Sequence, residues 1–190
     1  MELKGSETEK NLMRAFAGEA QARNRYTYYA DIAEGEGYLQ IAQLFRETAD
    51  NEKEHAKVFF KLLAGGMVAF DGLYPAGPAG TTEENLLAAA EGEKEEWSAL
   101  YPGFSEIAER EGFKKAAATF RNISKVESWH ERRYRRLLEN VQKGLVFKRD
   151  EPVRWKCDNC GYVHEGPEAP KVCPACAQQQ KYFELFVEAY

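Results

Sequence analysis

Glu52-x-x-His55 and Glu127-x-x-His130 stand 75 residues apart, and so do many of the residues around them. The segment Ile32-Ala33-Glu34-Gly35-Glu36-Gly37-Tyr38 returns as Ile107-Ala108-Glu109-Arg110-Glu111-Gly112-Phe113, and Phe45-Arg46 returns as Phe120-Arg121. His55 with Phe59, Leu62 and Leu63 returns as His130 with Tyr134, Leu137 and Leu138. A chain written twice in this way folds as one supersecondary unit packed on its own copy. Upstream the match slips, because Gly18-Glu19 aligns with Gly92-Glu93 at an offset of 74. The second copy therefore carries one extra residue between Glu93 and Ile107, an interval that holds Pro102. A proline there removes an intrahelical hydrogen bond, so a kink or one-turn bulge is expected to absorb the insertion.

The repeated unit reads as a helical hairpin. The first 145 residues are rich in Ala, Leu, Glu, Lys, Arg and Gln, all strong helix formers. Ser6-x-x-Glu9 suggests a capping box that starts a first helix at about Thr8, and the helix runs to Glu34, where Gly35 and Gly37 break it. A second helix spans about Tyr38 to Ala64 and stops at Gly65-Gly66. Thr81-x-x-Glu84 restarts a third, which passes the Pro102 bend and reaches about Arg110, and a fourth runs from about Phe113 to Lys143. Residues 67–80, with their glycines and prolines, are too long for a hairpin turn and read as a crossover joining two hairpins.

Each helix carries a glutamate on its apolar face. Glu19 shares a face with Phe16, Tyr26 and Ala30. Glu52 and His55 sit in the stripe Ile41, Leu44, Phe45, Thr48, Phe59, Leu62, while Glu127 and His130 sit among Phe120, Ile123, Tyr134 and Leu137. Residues three apart lie on one side of a helix. A carboxylate on a core stripe must be paired, protonated or bound to metal. One Glu-x-x-His says little, since helices are full of glutamate. Two in register, with Glu19 and Glu93-x-x-Glu96 facing them, describe a two-metal carboxylate site inside a four-helix bundle. The hard oxygen donors of Glu19, Glu52, Glu93, Glu96 and Glu127, with two imidazoles, suit iron or manganese and argue against copper or structural zinc. Five carboxylates and two ferrous ions leave a charge of -1, as do two ferric ions with one oxo bridge, so one ligand set serves both oxidation states. Glu96 breaks the repeat, since Ala22 occupies the matching position, and is expected to exchange with His55 as the metal charge changes. Tyr26 and Tyr101 are expected to donate hydrogen bonds to the cluster, and Tyr28, Tyr29 and Trp97 to pack.

All four cysteines fall in two pairs, Cys157-x-x-Cys160 and Cys173-x-x-Cys176, within twenty residues. The spacing suits four thiolates around one metal ion, iron or zinc, in a reducing compartment. Gly161 fits a left-handed turn beside the metal, and Trp155, Tyr162, Phe183 and Phe186 supply the small core such a module needs. His164 is left as a surface or packing residue. Val146-Phe147-Lys148 is expected to begin a short strand. The domains expected are 1–145 for the bundle and 146–190 for the four-cysteine module.

The remaining composition excludes several classes. A formal net charge of -5 gives no footing for nucleic acid, and Arg132, Arg133, Arg135 and Arg136 read as a solvated helix face. No run approaches the length and apolarity of a membrane span, and Met1 to Lys10 lacks the apolar stretch of a secretory signal. No glycine-rich loop offers a direct NAD(P)H site.

The chain resembles the rubrerythrin family over nearly its whole length. The resemblance lies in Ala17-Gly18-Glu19, Gln21-Ala22-Arg23-Asn24-Arg25-Tyr26, Glu47-Thr48-Ala49 with Glu52-x-x-His55, Gly92-Glu93-x-x-Glu96, Tyr101-Pro102, Glu127-x-x-His130 and Cys160-Gly161-Tyr162-Val163-His164-Glu165-Gly166. It implies an all-α ferritin-like four-helix bundle with a small C-terminal rubredoxin-like four-cysteine domain of short β-strands. It also implies two irons on Glu19, Glu52, His55, Glu93, Glu96, Glu127 and His130, with Glu52 and Glu127 bridging. A third iron falls on Cys157, Cys160, Cys173 and Cys176. The family's activity implies a cytoplasmic, homodimeric peroxidase that protects against oxidative stress. It reduces hydrogen peroxide with electrons from rubredoxin or an NAD(P)H-dependent rubredoxin reductase. The readings weighed against it are iron storage, a zinc-knuckle assembly protein and dioxygen activation.

Overall fold

The computed structural model describes residues 2–189. Four long helical elements form a bundle. They are α1 (Glu7–Gly35), α2 (Leu39–Phe60), a third built of α3 (Thr82–Glu95) and α4 (Tyr101–Glu111), and α5 (Lys114–Gln142). Between α3 and α4, Glu96–Leu100 form a π-helical turn, so the extra residue of the second copy is taken up as a bulge just before Pro102. Residues 61–81 form the irregular crossover. The helix α2 stops at Phe60, four residues short of the expected Ala64, so Leu62 sits in the turn that follows rather than on the helical stripe.

The repeat is visible in the turns. Gly37 (φ +90°) and Gly112 (φ +85°) both take the left-handed conformation, which costs glycine nothing. Tyr38 N–H then donates to Ala33 O and Phe113 N–H to Ala108 O, at 2.8 Å each. Each copy also caps the other. Glu111, at the end of α4, accepts from the N–H groups of Glu7 (3.2 Å) and Thr8 (2.8 Å) at the start of α1. Glu36, at the end of α1, accepts from Thr82 N–H at the start of α3 (3.1 Å). These bonds satisfy orphan donors and place negative charge at positive helix ends. Thr81 and Glu84 form the full capping box expected. At α1, Ser6 caps Glu9 N–H, but the Glu9 carboxylate reaches Gly5 N–H instead of Ser6.

The core has two aromatic clusters on either side of the buried glutamates. One joins Tyr26, Tyr29, Phe45 and Tyr134; the other joins Phe59, Tyr101 and Phe120 with Leu12. On α1 the buried stripe is Leu12, Ala15, Glu19, Ala22, Tyr26 and Ala30. Phe16, expected on that face, lies at its flank and packs on the exposed Phe60 (5.2 Å between centroids). Leu44 likewise only borders the core.

After α5 come β1 (Lys148–Cys157), β2 (Val163–Glu168) and β3 (Phe183–Leu185), an antiparallel sheet in the order β2-β1-β3. The strand starts at Lys148, and Phe147 just before it stacks on Tyr38 of the bundle (6.4 Å). Trp155, Cys157, Ala169, Cys173 and Phe183 make its core, and Trp155 Nε1–H donates to Gly166 O (3.0 Å). Phe186 lies outside that core, under the Arg154 guanidinium, while Tyr182 and Leu185 pack where it was expected. Gln43 on α2 donates to Asp158 (2.8 Å), a polar bond between bundle and sheet. Among the described residues no helix is long and apolar enough to cross a membrane.

Candidate metal centres

The bundle glutamates converge between the two aromatic clusters. Glu19, Glu52, Glu93 and Glu127 are buried to 1% exposure or less. His55 Nδ1 lies 2.7 Å from Glu52 Oε2, 3.0 Å from Glu127 Oε1 and 3.9 Å from Glu19 Oε1. His130 Nδ1 lies 2.8 Å from Glu127 Oε2, 3.2 Å from Glu52 Oε1 and 3.4 Å from Glu93 Oε2. Two sets of ligand atoms therefore form, Glu19-Glu52-His55-Glu127 and Glu52-Glu93-Glu127-His130, the atoms of each set within 4.8 Å of one another. Glu52 and Glu127 belong to both, each turning one oxygen toward one histidine and the other oxygen toward the second. This is the geometry of a pair of shared carboxylates between two positions.

Several polar atoms of this cluster have no well-aligned hydrogen bond. Glu19 Oε2, Glu52 Oε1, Glu93 Oε2, both Glu127 oxygens and His130 Nδ1 are buried and face one another and His55, imidazole against carboxylate. Burying so many carboxylates together is costly, and this donor set fits metal cations, with protons on the two imidazoles taking their place when none is bound. Without a cation the site holds protons. Burial, reinforced by the Glu96, Glu127 and Glu52 carboxylates, raises Glu19 well above the usual range. Burial and Glu52 push Glu93 to about 8. Burial disfavours the imidazolium forms, but hydrogen bonds to Glu127 and Glu52 outweigh it and raise His55 to about 10. With Glu93 added, the same balance raises His130 to about 12.

Surrounding groups orient the carboxylates. Tyr26 O–H donates to Glu93 Oε1 and Tyr101 O–H to Glu19 Oε1, both at 2.5 Å. Tyr26 and Tyr101 are 75 apart, so the two bonds cross the bundle as a matched pair. Both tyrosines stand out in the sequence, but their equivalence does not, and neither does Asn51, whose Oδ1 lies 3.3 Å from His130 Nε2 and so leaves Nδ1 to face the carboxylates. Only its position beside Glu52 could have flagged it. Glu96 is not drawn into either set. It is half-buried at the start of the π-helical turn, with its carboxylate directed toward Gly18 and Tyr74. Tyr29 packs in the core; Trp97 donates to Glu131 (2.6 Å), and Tyr28 is largely exposed.

In the C-terminal sheet the four sulfurs also lie within 4.8 Å of one another, with Cys157–Cys176 at 3.8 Å and Cys160–Cys173 at 3.7 Å. Disulfide sulfurs would be about 2.0 Å apart, whereas a tetrahedron with metal–sulfur bonds of about 2.3 Å has edges of about 3.8 Å. Two equivalent turns present the thiols. Gly161 N–H donates to Cys157 O and Ala177 N–H to Cys173 O, with φ +77° and +59°. The Gln178 N–H lowers Cys176 to about 6, favouring its thiolate.

Comparison with known proteins gives a consistent result. The family pattern described as "Rubrerythrin" matches residues 10–138, and the one described as "Rubrerythrin, rubredoxin-like domain" matches residues 155–184. The chain is 60% identical to rubrerythrin of Porphyromonas gingivalis over 182 residues, 96% of this chain and 91% of that one. It is 49% identical to rubrerythrin of Nitratidesulfovibrio vulgaris over 183 residues, 96% of each chain. Among solved structures it is similar to nigerythrin in its fully reduced, all-ferrous state, with a TM-score of 0.64, 33% identity, and coverage of 96% of this chain and 91% of that one.

Proposed function

The chain belongs to the rubrerythrin family, and we propose that it reduces hydrogen peroxide to water with electrons relayed through a four-cysteine iron centre. The observation that carries this reading is the pair of buried ligand-atom sets, one at His55 and one at His130, that share Glu52 and Glu127. We assign one iron to Glu19, Glu52, His55 and Glu127, a second to Glu52, Glu93, Glu127 and His130, and a third to the four cysteines. Glu96 serves as a further carboxylate of the pair. The hard donors favour iron over zinc in the bundle, and a related nigerythrin has been solved with all its iron ferrous. Bound iron supplies Lewis acidity and the two electrons of the reaction, H2O2 + 2H+ + 2e− → 2H2O.

The chain's own residues prepare that reaction. Tyr26 and Tyr101 hold their hydroxyl protons against Glu93 and Glu19, fixing which carboxylate oxygen stays free. The aromatic clusters above and below keep bulk water from the carboxylates. Cys157, Cys160, Cys173 and Cys176 would hold an iron whose single-electron changes need little rearrangement of the sulfur cage. The units acting in the relay are the bundle, 1–145, and the rubredoxin-like domain, 146–190. The reading includes a cytoplasmic homodimer fed by rubredoxin or by an NAD(P)H-dependent rubredoxin reductase.

The test is to reduce the iron-loaded protein without oxygen, add one equivalent of hydrogen peroxide, and follow the visible absorption of the thiolate-bound iron. Fast reoxidation that vanishes in an E52A/H55A variant is expected. A colourless protein, or one whose colour ignores peroxide, would refute the reading.

A further inference from the structure

One cavity leads from the surface toward the buried glutamates on the α1–α3 side beneath the crossover, and another, lined by Asn51 and His130, opens on the α2–α5 side. The volume of the first is about 270 Å³; the exposed residues Leu73, Tyr74 and Pro75 line its outer edge, and Glu96 and Tyr101 form part of its wall. Tyr101 is the residue bonded to Glu19, so this wall adjoins the ligand set itself. The waist is formed by Tyr74, Gly18 and Glu96. A Cβ placed on Gly18 would lie 3.8 Å from the Tyr74 ring and 3.9 Å from Glu96 Oε1, so the glycine leaves the gap that any larger residue would fill.

This edge is tied down by one side chain. Arg14 on α1 donates through Nε to Asp71 O (2.9 Å) and through a terminal nitrogen to Asp71 Oδ1 (2.6 Å). Glu7 (2.5 Å) and Asn11 (2.6 Å) hold the other terminal nitrogen of the same guanidinium. Tyr74 O–H donates back to Arg14 O (3.0 Å). The ring also folds against Gly72, where an added Cβ would come within 2.8 Å of it. A long crossover otherwise rich in glycine and proline is thus fastened at the point where it borders the cavity.

We propose that residues 71–75, latched by Arg14, act as a size filter on the α1–α3 approach to the carboxylate cluster, passing hydrogen peroxide and holding back bulky organic hydroperoxides on that side. The inference rests on the peroxidase reading above. Hydrogen peroxide occupies about two water volumes, roughly 60 Å³, and fits the cavity with room to spare. The point a bulkier hydroperoxide has to pass is the waist between the Tyr74 ring, Gly18 and Glu96. An organic hydroperoxide that did enter would follow the same balance, ROOH + 2H+ + 2e− → ROH + H2O, with electrons from the same reduced donor.

The test uses the full iron-loaded chain and three substitutions, Tyr74→Ala, Arg14→Ala and Gly72→Ala, the last of which displaces the ring without removing it. The ratio of kcat/KM for cumene hydroperoxide to that for hydrogen peroxide is expected to rise by about tenfold or more. A second readout is independent of turnover: the rate at which a bulky sulfonated phenanthroline withdraws ferrous iron should rise in the same variants. Circular dichroism confirms that each remains folded. Ratios and withdrawal rates that stay within about twofold of the parent chain overturn the filter. If the parent chain does not reduce hydrogen peroxide, the peroxidase reading falls instead, and the withdrawal rates still decide whether residues 71–75 gate the site.

Discussion

Loading the bundle with metal should expel protons, and their number follows from the site. At pH 7 without metal, His55 (about 10), His130 (about 12) and Glu93 (about 8) each hold a proton, and Glu19 is raised well above its usual range. Metal needs neutral imidazoles and ionised carboxylates. Glu96 is likewise raised well above its usual range by burial and by Glu93. Binding two ferrous ions therefore releases about five protons, at least the two on the imidazoles, and the apparent affinity gains about tenfold per pH unit for each. The same shifts predict how stability responds to pH. A histidine raised above its unfolded value stabilises the fold below about pH 6.5 and loses that contribution as pH climbs through the folded value. Raised carboxylates also keep protons that the unfolded chain gives up above about pH 4.5, so their effect has the same sign. Glu52 runs the other way, because hydrogen bonds from His130 and His55 outweigh its burial and lower it, but its window lies below pH 4.5. Each retained proton costs the metal-free bundle about 1.4 kcal/mol per pH unit, or about 3–5 °C in Tm. Anaerobic titration calorimetry at pH 7 in two buffers of different ionisation enthalpy, with zinc already in the cysteine site, counts the protons. Thermal melts of the metal-free protein from pH 6 to 8 supply the second measure. Release of fewer than two protons, or a Tm that rises with pH, would refute the reasoning.

Other parts of the structure make their own predictions. Tyr101→Phe removes the donor to Glu19 and should cost about 1–2 kcal/mol in chemical denaturation while leaving the buried cavity filled; an unchanged midpoint would show that the bond contributes nothing. Glu111→Ala takes the carboxylate from two N–H groups at the start of α1 and should cost about 1 kcal/mol. Glu36→Ala at the equivalent end should cost less, since it caps one, and the two losses should add because the sites are separate. A strong chelator should unfold the four-cysteine sheet, seen as loss of Trp155 burial by fluorescence, while the helical signal of the bundle persists. Simultaneous loss of both would mean that the two parts fold as one unit.

Much of this architecture could be read from the chain because the repeat reports both local and global structure. The apolar stripes of α2 and α5, the turn glycines at 37 and 112 and the bulge before Pro102 all follow from periodicity and spacing. What escaped the sequence depends on contacts between distant segments. The end of α2 at Phe60 comes four residues short of Ala64, where the glycines mark it in the sequence, and Phe16 borders the Leu12–Ala15 cluster and pairs with Phe60 from the neighbouring helix. The reciprocal caps from Glu36 and Glu111 could not be seen because each joins residues on opposite copies. The same holds for Asn51 beside His130, which has no counterpart in the repeat: Val126 stands at the equivalent place.

The π-helical turn explains how an insertion could enter the second copy without dismantling the site. Tyr26 follows Glu19 by seven residues, a spacing that returns to nearly the same helix face at 3.6 residues per turn. Tyr101 follows Glu93 by eight, which in an unbroken α-helix would swing it about 100° away. Widening the turn at Glu96–Leu100 absorbs the extra residue. Tyr101 then remains on the face of Glu93 and reaches Glu19 at the same 2.5 Å by which Tyr26 reaches Glu93. The bulge begins at Glu96, the carboxylate with no partner in the first copy. Symmetry is therefore kept where the paired tyrosines need it. It is given up at the one position where the second copy brings a carboxylate that the first lacks, beside the α1–α3 approach to the cluster.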